Sequence, residues 1–456
     1  MNKANYKKVL FIAYLFPPVG GGGVQRSSKF VKYLPEFEWQ PLVLTVKEPY
    51  DFYRDDSLMN DLGKDIKVYR TLSIEPMKWV RKILKRRSKR IIEQKEESKH
   101  TVRKSLKPGF LVKLKTYLLI PDNEILWLPF AVWRGWRVIR KERPAIIYST
   151  ASPFTDNLIA LILSKISKIP WVADFRDLWV DRPNFPKNKF RLFIDRKLEK
   201  MVIKNANHIV TVTSVMAERF KELYPGINYT SITNGYDEDD FKNIEVQMPP
   251  AEEFRITYTG IMNEQQNPGR IFRAISNLLK QRADFQKKIK LRFIGQLDNP
   301  GDFENINYFR QIGLDQYSEL IEYQPHHHAI AEMRQSTILL LLIGEYPHSE
   351  SVLTGKIFEY VRAGRPILAA VPPSGLAAEV IRNTNSGLVV SNINVDDIKE
   401  GISKMFDLFI ANKLEQSFKR NNIEKYSRLN LTRELSDVFN KTIKLKSSYS
   451  IGEGES

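Results

Sequence analysis

Thr354-Gly355-Lys356-Ile357-Phe358-Glu359-Tyr360, running on through Ala363-Gly364-Arg365-Pro366-Ile367-Leu368, carries more structural information than any other part of this chain. It follows the apolar run Ile338-Leu339-Leu340-Leu341-Leu342-Ile343 and reads as strand, loop, helix, turn, strand. Ser351 or Thr354 can cap the helix, and Gly364-Arg365-Pro366 ends it. A helix that opens here presents unpaired backbone N–H groups and the positive end of its dipole, which together suit a diphosphate. Gly355 lets such a group approach, and Lys356 adds a cation. Glu359 falls three residues beyond Lys356 and four beyond Gly355, on the same helical face, where a carboxylate can accept hydrogen bonds from a ribose diol. Phosphate beside diol describes a nucleotide. The plainer reading is a capped helix with an exposed Lys356–Glu359 pair.

Working outward, the 456 residues suffice for two or three domains, and 42% hydrophobic with 27% charged residues is a globular composition. The absence of cysteine excludes a disulfide scaffold and a thiolate metal site, and fits a reducing compartment. No secretion-signal pattern is visible and no apolar run approaches the roughly 18 residues of a membrane span, so the expected location is cytoplasmic. The formal charge of +18 is concentrated: residues 74–143 hold 20 Lys and Arg against 7 Asp and Glu. That asymmetry predicts a local basic surface facing an anionic partner.

In the first half, Lys7 to Tyr14 predicts a buried parallel strand that empties into Pro17-Pro18-Val19-Gly20-Gly21-Gly22-Gly23 and then an amphipathic helix. Strand, glycine loop, helix is the first unit of a doubly wound domain, and Gly22 and Gly23 are candidates for close approach to a ligand. A second strand, Gln40–Val46, leads into the basic region. Residues Lys78 to Arg90 hold eight basic residues and no acid, with Val80, Ile83, Leu84 and Ile91 at helical spacing. This predicts a basic amphipathic helix whose Lys78, Arg81, Lys82, Lys85, Arg86 and Arg87 face an anionic membrane. Leu111–Leu119 and Trp133–Val138 again mix apolar residues with Lys and Arg. Two further strands, Ala145–Thr150 and Ile169–Asp174, keep the parallel rhythm, and the second ends in Asp174-Phe175-Arg176-Asp177. Charges bunched at a strand's carboxyl end make Asp174, Arg176 and Asp177 catalytic candidates; a salt-bridged turn is the alternative.

From Arg255 a second strand–loop–helix series begins: Arg255–Gly260, Lys290–Gly295, Leu320–Tyr323, Ile338–Ile343, Pro366–Ala370 and Gly387–Val390. Two such series predict an α/β fold of two Rossmann-like domains, each a parallel sheet with helices on both faces. The boundaries read as 1–240 with a basic insert at about 74–143, 241–425, a helix over 426–445, and a disordered tail over 446–456. His326-His327-His328 does not read as a metal site, because consecutive side chains converge poorly on one ion and no acid cluster accompanies them.

These motifs resemble those of family 4 glycosyltransferases of the GT-B fold, in which Glu-x7-Glu precedes an Ala-x-Gly-x-Pro turn. Glu359 matches the second Glu, whereas Ser351 stands where the first belongs and Glu350 is one residue out of register. The resemblance implies two facing domains, a C-terminal helix that returns to the first, and donor binding by Gly260, Arg270, Tyr323, Pro325, Thr354, Gly355, Lys356, Ile357 and Glu359. It places Tyr323-Gln324-Pro325 and the histidines in the loop that holds the nucleotide base. Family members often carry His near Asp174, and a basic residue usually follows the second half's first loop, where only Arg270 is available here.

The expected activity is retaining transfer of a sugar from a nucleotide-diphosphate sugar to a saccharide or lipid-linked saccharide acceptor, at the membrane and without metal or other cofactor. Helix dipole, N–H groups and Lys356 would hold the leaving charge. The rivals are another GT-B enzyme such as a sugar-nucleotide epimerase, a non-catalytic binding protein, and a nucleic-acid binder, the last lacking an aromatic-basic platform.

Overall fold

A computed structural model describes residues 6–20, 22–49, 55, 57–63, 65–74, 119–182, 185, 188–262, 266, 268–298, 304–322 and 324–452. The chain divides into two compact units, one formed by Met1–Thr233 with Thr432–Ser456, the other by Asn234–Leu431.

The first unit is built on seven strands: β1 (Lys7–Ile12), β2 (Trp39–Val46), β3 (Lys67–Thr71), β4 (Ile146–Ala151), β5 (Trp171–Phe175), β6 (His208–Thr211) and β7 (Tyr229–Ser231). Their order is β3-β2-β1-β4-β5-β6-β7 and every pair is parallel. The central strands are continuous apolar runs because both faces are covered, and Val9, Leu10, Phe11, Ile12, Ile146 and Ile147 are fully buried. The principal helices are α1 (Gly22–Tyr33), α2 (Leu128–Glu142), α3 (Thr155–Ser167), α4 (Lys189–Asn205) and α5 (Ser214–Leu223). α2, α3 and α4 lie side by side. Edge strand β3 escaped the sequence reading: Lys-Val-Tyr-Arg-Thr is half-exposed and mostly polar. It is held by side chains, since Lys67 and Tyr69 join Lys8 on the buried carboxylate of Glu142, at 2.9, 3.0 and 2.9 Å.

The second unit carries β8 (Phe254–Ile261), β9 (Ile289–Gln296), β10 (Ser318–Ile321), β11 (Ile338–Leu342), β12 (Ile367–Val371) and β13 (Gly387–Ser391), ordered β10-β9-β8-β11-β12-β13 and again all parallel. Its main helices are α6 (Gly269–Gln281), α7 (Glu304–Gln311), α8 (His326–Arg334), α9 (Gly355–Ala363), α10 (Leu376–Asn383) and α11 (Val395–Ile410). Both sheets are therefore doubly wound, as the two strand–helix series predict. In each the order reverses once, between β1 and β4 and between β8 and β11, and the carboxyl ends of strands at such a reversal are where these sheets receive ligands.

The last helix, α12 (Arg428–Gly452), continues past Leu445, where the sequence reading begins a disordered tail; no Gly or Pro interrupts it before Gly452. Its Phe439 is fully buried and packs edge-on against Trp39 and Tyr148 in the first unit, with ring centroids 5.2 and 5.7 Å apart.

Candidate active site

In the second unit, the two loops that flank the reversal point supply most of the residues singled out for donor binding. β8 ends in Gly260 and is followed by α6, which carries Arg270; β11 is followed by a loop and then by α9, which opens at Gly355. Thr354 takes the cap position in extended conformation, but its side chain makes no capping bond. The first N–H groups of α9 have no carbonyl four residues back and point out of the helix. Gly355 is exposed, and a Cβ placed there would meet nothing within 4 Å. The space directly beside Gly355 at this helix end is therefore open.

Lys356 turns back over the sheet. Its Nζ lies 3.9 Å from the ring centroid of Tyr258 and beside Gly260, where an added Cβ would stand 2.8 Å from it. Gly260 has φ of +112° and its register partner Gly295 has φ of +124°, so both occupy backbone conformations that suit glycine. Burial pushes the Lys356 ammonium down to about 7, against the opposing pull of Glu359.

Glu359 accepts at Oε1 from Nε2 of His326, at 2.9 Å. Burial works against its charge, but the hydrogen bond from His326 and the charges of His326, Arg428 and Lys356 outweigh it and hold the carboxyl below its ordinary value. The pairing bears on two residues. His326 starts helix α8, with Pro325 at its cap position, and its ring is engaged by a carboxylate. Glu359 is paired to His326 on the neighbouring helix, so it does not simply form an exposed ion pair with Lys356. Arg428, another positive influence on Glu359, was also missed, because only the three-dimensional fold brings residues 326, 359 and 428 together.

The remaining donor candidates divide. Arg270 sits on the first turn of α6 and bonds to Glu345 at 3.1 Å and to the carbonyl of Asn392 at 3.2 Å. Ile357 is fully buried in the core beneath α9, and its N–H bonds to the carbonyl of Thr354 at 3.3 Å, so its side chain is packing and not recognition. Tyr323 lies outside the described residues. Glu350 is exposed in the short turn before α9.

In the first unit, the expected catalytic trio proves to be three different things. Asp174 is fully buried: Arg26 donates to both its oxygens at 3.0 and 2.9 Å and Thr150 donates at 2.7 Å. A carboxylate so enclosed and so occupied orders the loop, and this corrects its reading as a base. Arg176 donates to the carbonyls of Gly23 and Ser152, tying the glycine loop to the end of β4. Burial lowers its pKa from the ordinary value, while Asp174, Asp177 and Asp156 oppose the shift. Only Asp177 is exposed, accepting from Ser152 at 3.1 Å. Gly22 opens α1, and a Cβ at Gly23 would meet the Arg176 guanidinium at 2.9 Å.

The six basic residues assigned to the membrane, Lys78, Arg81, Lys82, Lys85, Arg86 and Arg87, lie outside the described residues, as does most of Leu111–Leu119. Leu119 itself is buried, and of the third stretch Val138 is core while Trp133 is 59% exposed. Thus Val138 and Leu119 are not available to a membrane surface.

Two Rossmann-like units, with a helix amino end, a cation and a paired carboxylate at the reversal point of the second, define the GT-B class of glycosyltransferase. Sequence comparison places the family on the same residues: 90–240 match the family described as Glycosyltransferase Family 4, and 239–425 match that described as Glycosyl transferases group 1. The chain belongs to the family 4-like glycosyltransferases and is an enzyme of that class. Among solved structures it resembles a glycosyltransferase from Rickettsia africae ESF-5 (TM-score 0.60, 15% identity, 96% of this chain and 99% of that one). It likewise resembles TarM (0.59, 12%, 96% and 100%) and the lipopolysaccharide outer core galactosyltransferase WaaB (0.53, 14%, 96% and 99%). At these identities the likeness establishes the fold. Comparison with curated protein sequences finds no match.

Proposed function

We propose that this enzyme moves a sugar, with retention of anomeric configuration, from a nucleotide-diphosphate sugar to a saccharide or lipid-linked saccharide acceptor at the inner face of the cell membrane, in cell-surface polysaccharide or glycolipid synthesis. The observation that carries the donor half is the open amino end of α9, with Lys356 over Tyr258 and Glu359 held by His326. The diphosphate would lie against the first N–H groups of α9, where the dipole and Lys356 stabilise charge as the glycosidic bond breaks. Glu359, kept ionised by its neighbours, would accept from the ribose hydroxyls. Arg270 would contribute by exchange of its partner Glu345 for phosphate. The membrane half rests on the excess of Lys and Arg over residues 74–143; among the described residues no helix is long and apolar enough to cross a bilayer.

Differential scanning with a panel of nucleoside diphosphates and nucleotide sugars tests the donor. One base should raise the melting temperature with saturation, because a ligand that binds only the folded state stabilises it by mass action. Product configuration, read by NMR after incubation with the stabilising donor and extracted glycolipids, then tests retention. An inverted product or inert donors would overturn the reading.

A further inference from the structure

Helix α4 presents an outward face unlike its composition. Over Lys189–Asn205 the sequence Lys-Phe-Arg-Leu-Phe-Ile-Asp-Arg-Lys-Leu-Glu-Lys-Met-Val-Ile-Lys-Asn contains two acids, and both point inward. Asp195 is fully buried, accepting from the indole of Trp179 at 2.8 Å and from Arg191 at 2.8 Å. Glu199 is buried as well, accepting from the backbone of Val180 at 3.2 Å and from the hydroxyl of Tyr224 at 2.7 Å. What remains outside is cationic and apolar. Lys189, Arg196, Lys197, Lys200 and Lys204 are exposed, and Phe190 and Phe193 are each 57% exposed. Residues 190, 193, 197, 200 and 204 follow one another at three- and four-residue steps, so they share a single helical face. Lys197 lies over the Phe193 ring with Nζ 4.2 Å from its centroid, its charge at the rim of the aromatic surface.

The surroundings extend this face. α4 begins at the carboxyl edge of the sheet, and its Arg191 donates to the carbonyls of Leu119 at 3.1 Å and Pro121 at 2.5 Å. The chain thus leaves the basic stretch directly against the start of α4. In the same helical layer, α2 exposes Trp133 with the Arg137 guanidinium 4.8 Å from its ring centroid. Residues 75–118, which follow β3 and rejoin the described chain at Leu119, contain fifteen Lys and Arg against four Asp and Glu. A segment of that charge is repelled by the α4 face, as is a second copy of it. The occupant must be anionic and must also accept two phenylalanines.

We propose that the exposed face of α4, with Phe190 and Phe193 inserted at the headgroup boundary and Lys197, Lys200 and Lys204 against lipid phosphates, docks this enzyme on an anionic bilayer. This deepens the membrane half of the proposed function and rests on it. Large apolar side chains between basic ones distinguish a lipid surface from a soluble polyanion, which offers phosphates but no hydrocarbon. The face adds apolar insertion to electrostatic attraction.

Full-length protein is sedimented with vesicles of phosphatidylglycerol and phosphatidylcholine, alongside Phe190→Ser/Phe193→Ser and Lys197→Glu/Lys200→Glu double variants, each checked for unchanged melting temperature. Wild type should bind anionic vesicles and lose binding with salt; each double variant should bind at least tenfold more weakly. In a Phe193→Cys variant labelled with a fluorophore at that cysteine, unique because the chain has none of its own, emission at 193 should be quenched by lipids carrying a quencher along the acyl chain. If wild type binds anionic vesicles but the double variants bind equally and position 193 is not quenched, this inference fails while the membrane reading stands. Absence of wild-type binding to any vesicle overturns both. Single-stranded DNA that displaces the protein from vesicles and is lost in the Phe190→Ser/Phe193→Ser variant would show a nucleic-acid surface instead. Donor-induced stabilisation is measured in parallel and should be unchanged in every variant.

Discussion

His326 and Glu359 meet at 2.9 Å between Nε2 and Oε1 although 33 residues separate them, one at the start of α8 and the other in the second turn of α9. The contact engages one oxygen of the Glu359 carboxylate. It also ties together the amino ends of two helices that follow different strands of one sheet.

Replacing Glu359 by Gln removes the charged acceptor and disturbs its contact with His326. Calorimetry should show nucleoside diphosphate binding weaker by about 1–3 kcal/mol, with a smaller preference for ribose over 2′,3′-dideoxyribose nucleotides. His326→Ala should produce a lesser loss in the same direction. Unchanged affinity in both variants would remove Glu359 from the donor site.

If Lys356 holds the donor diphosphate, binding should depend on pH. Its ammonium titrates near 7 in the free chain because burial disfavours the charge. A bound diphosphate favours the charged form, so the complex holds more protons than the free protein at and above that pH. By linkage, affinity falls as pH rises through about 7 and is level below it. Titrations from pH 6 to 8.5 should show the decline, with proton uptake detectable in buffers of different ionisation enthalpy. Lys356→Met should abolish both.

Gly355→Ala separates recognition from folding. The added methyl enters open space, so the melting temperature should hold, apart from a small gain from reduced unfolded-state entropy. A phosphate approaching the helix end would meet that methyl, and nucleotide affinity should drop several-fold.

Asp174 and Asp177 should differ in kind. Asp174→Ala leaves the Arg26 guanidinium buried without its carboxylate, at a cost of about 3–5 kcal/mol, and should lower the melting temperature by roughly 10 °C. Asp177→Asn, on an exposed side chain, should leave stability unchanged.

Turnover with the stabilising donor should persist in excess chelator, since the proposed charge stabilisation comes from α9 and Lys356. Activity that is lost in chelator and restored by magnesium or manganese would count against that assignment.

The architecture was legible because buried parallel strands are contiguous apolar runs: Leu339–Leu342 and Val9–Ile12 announce themselves. β3 did not, being an edge strand held by Glu142 from 75 residues away. At the candidate site, helical spacing made it legible that Gly355, Lys356 and Glu359 open one helix, with Glu359 on the face of the other two. The partners that set their behaviour were not legible. Tyr258 beneath Lys356, His326 beside Glu359 and Arg26 around Asp174 are all remote in sequence, and periodicity contains no information about contacts between elements. The same limit explains α4: its two acids look like ordinary neutralising charges until burial shows them spent on Trp179, Arg191 and Tyr224.

Gly295, Gly260 and Lys356 form a nested series. A Cβ at Gly295 would strike the carbonyl oxygen of Gly260 at 2.4 Å, and a Cβ at Gly260 would strike the Lys356 ammonium at 2.8 Å. The two glycines are therefore held for different reasons. At Gly295 a side chain would meet immovable backbone as well as an unfavourable φ, whereas at Gly260 the obstacle is the flexible end of Lys356 and it is the φ of +112° that requires glycine. The lysine is thus seated over a stretch of backbone bare of side chains, which lets its ammonium lie against the sheet end.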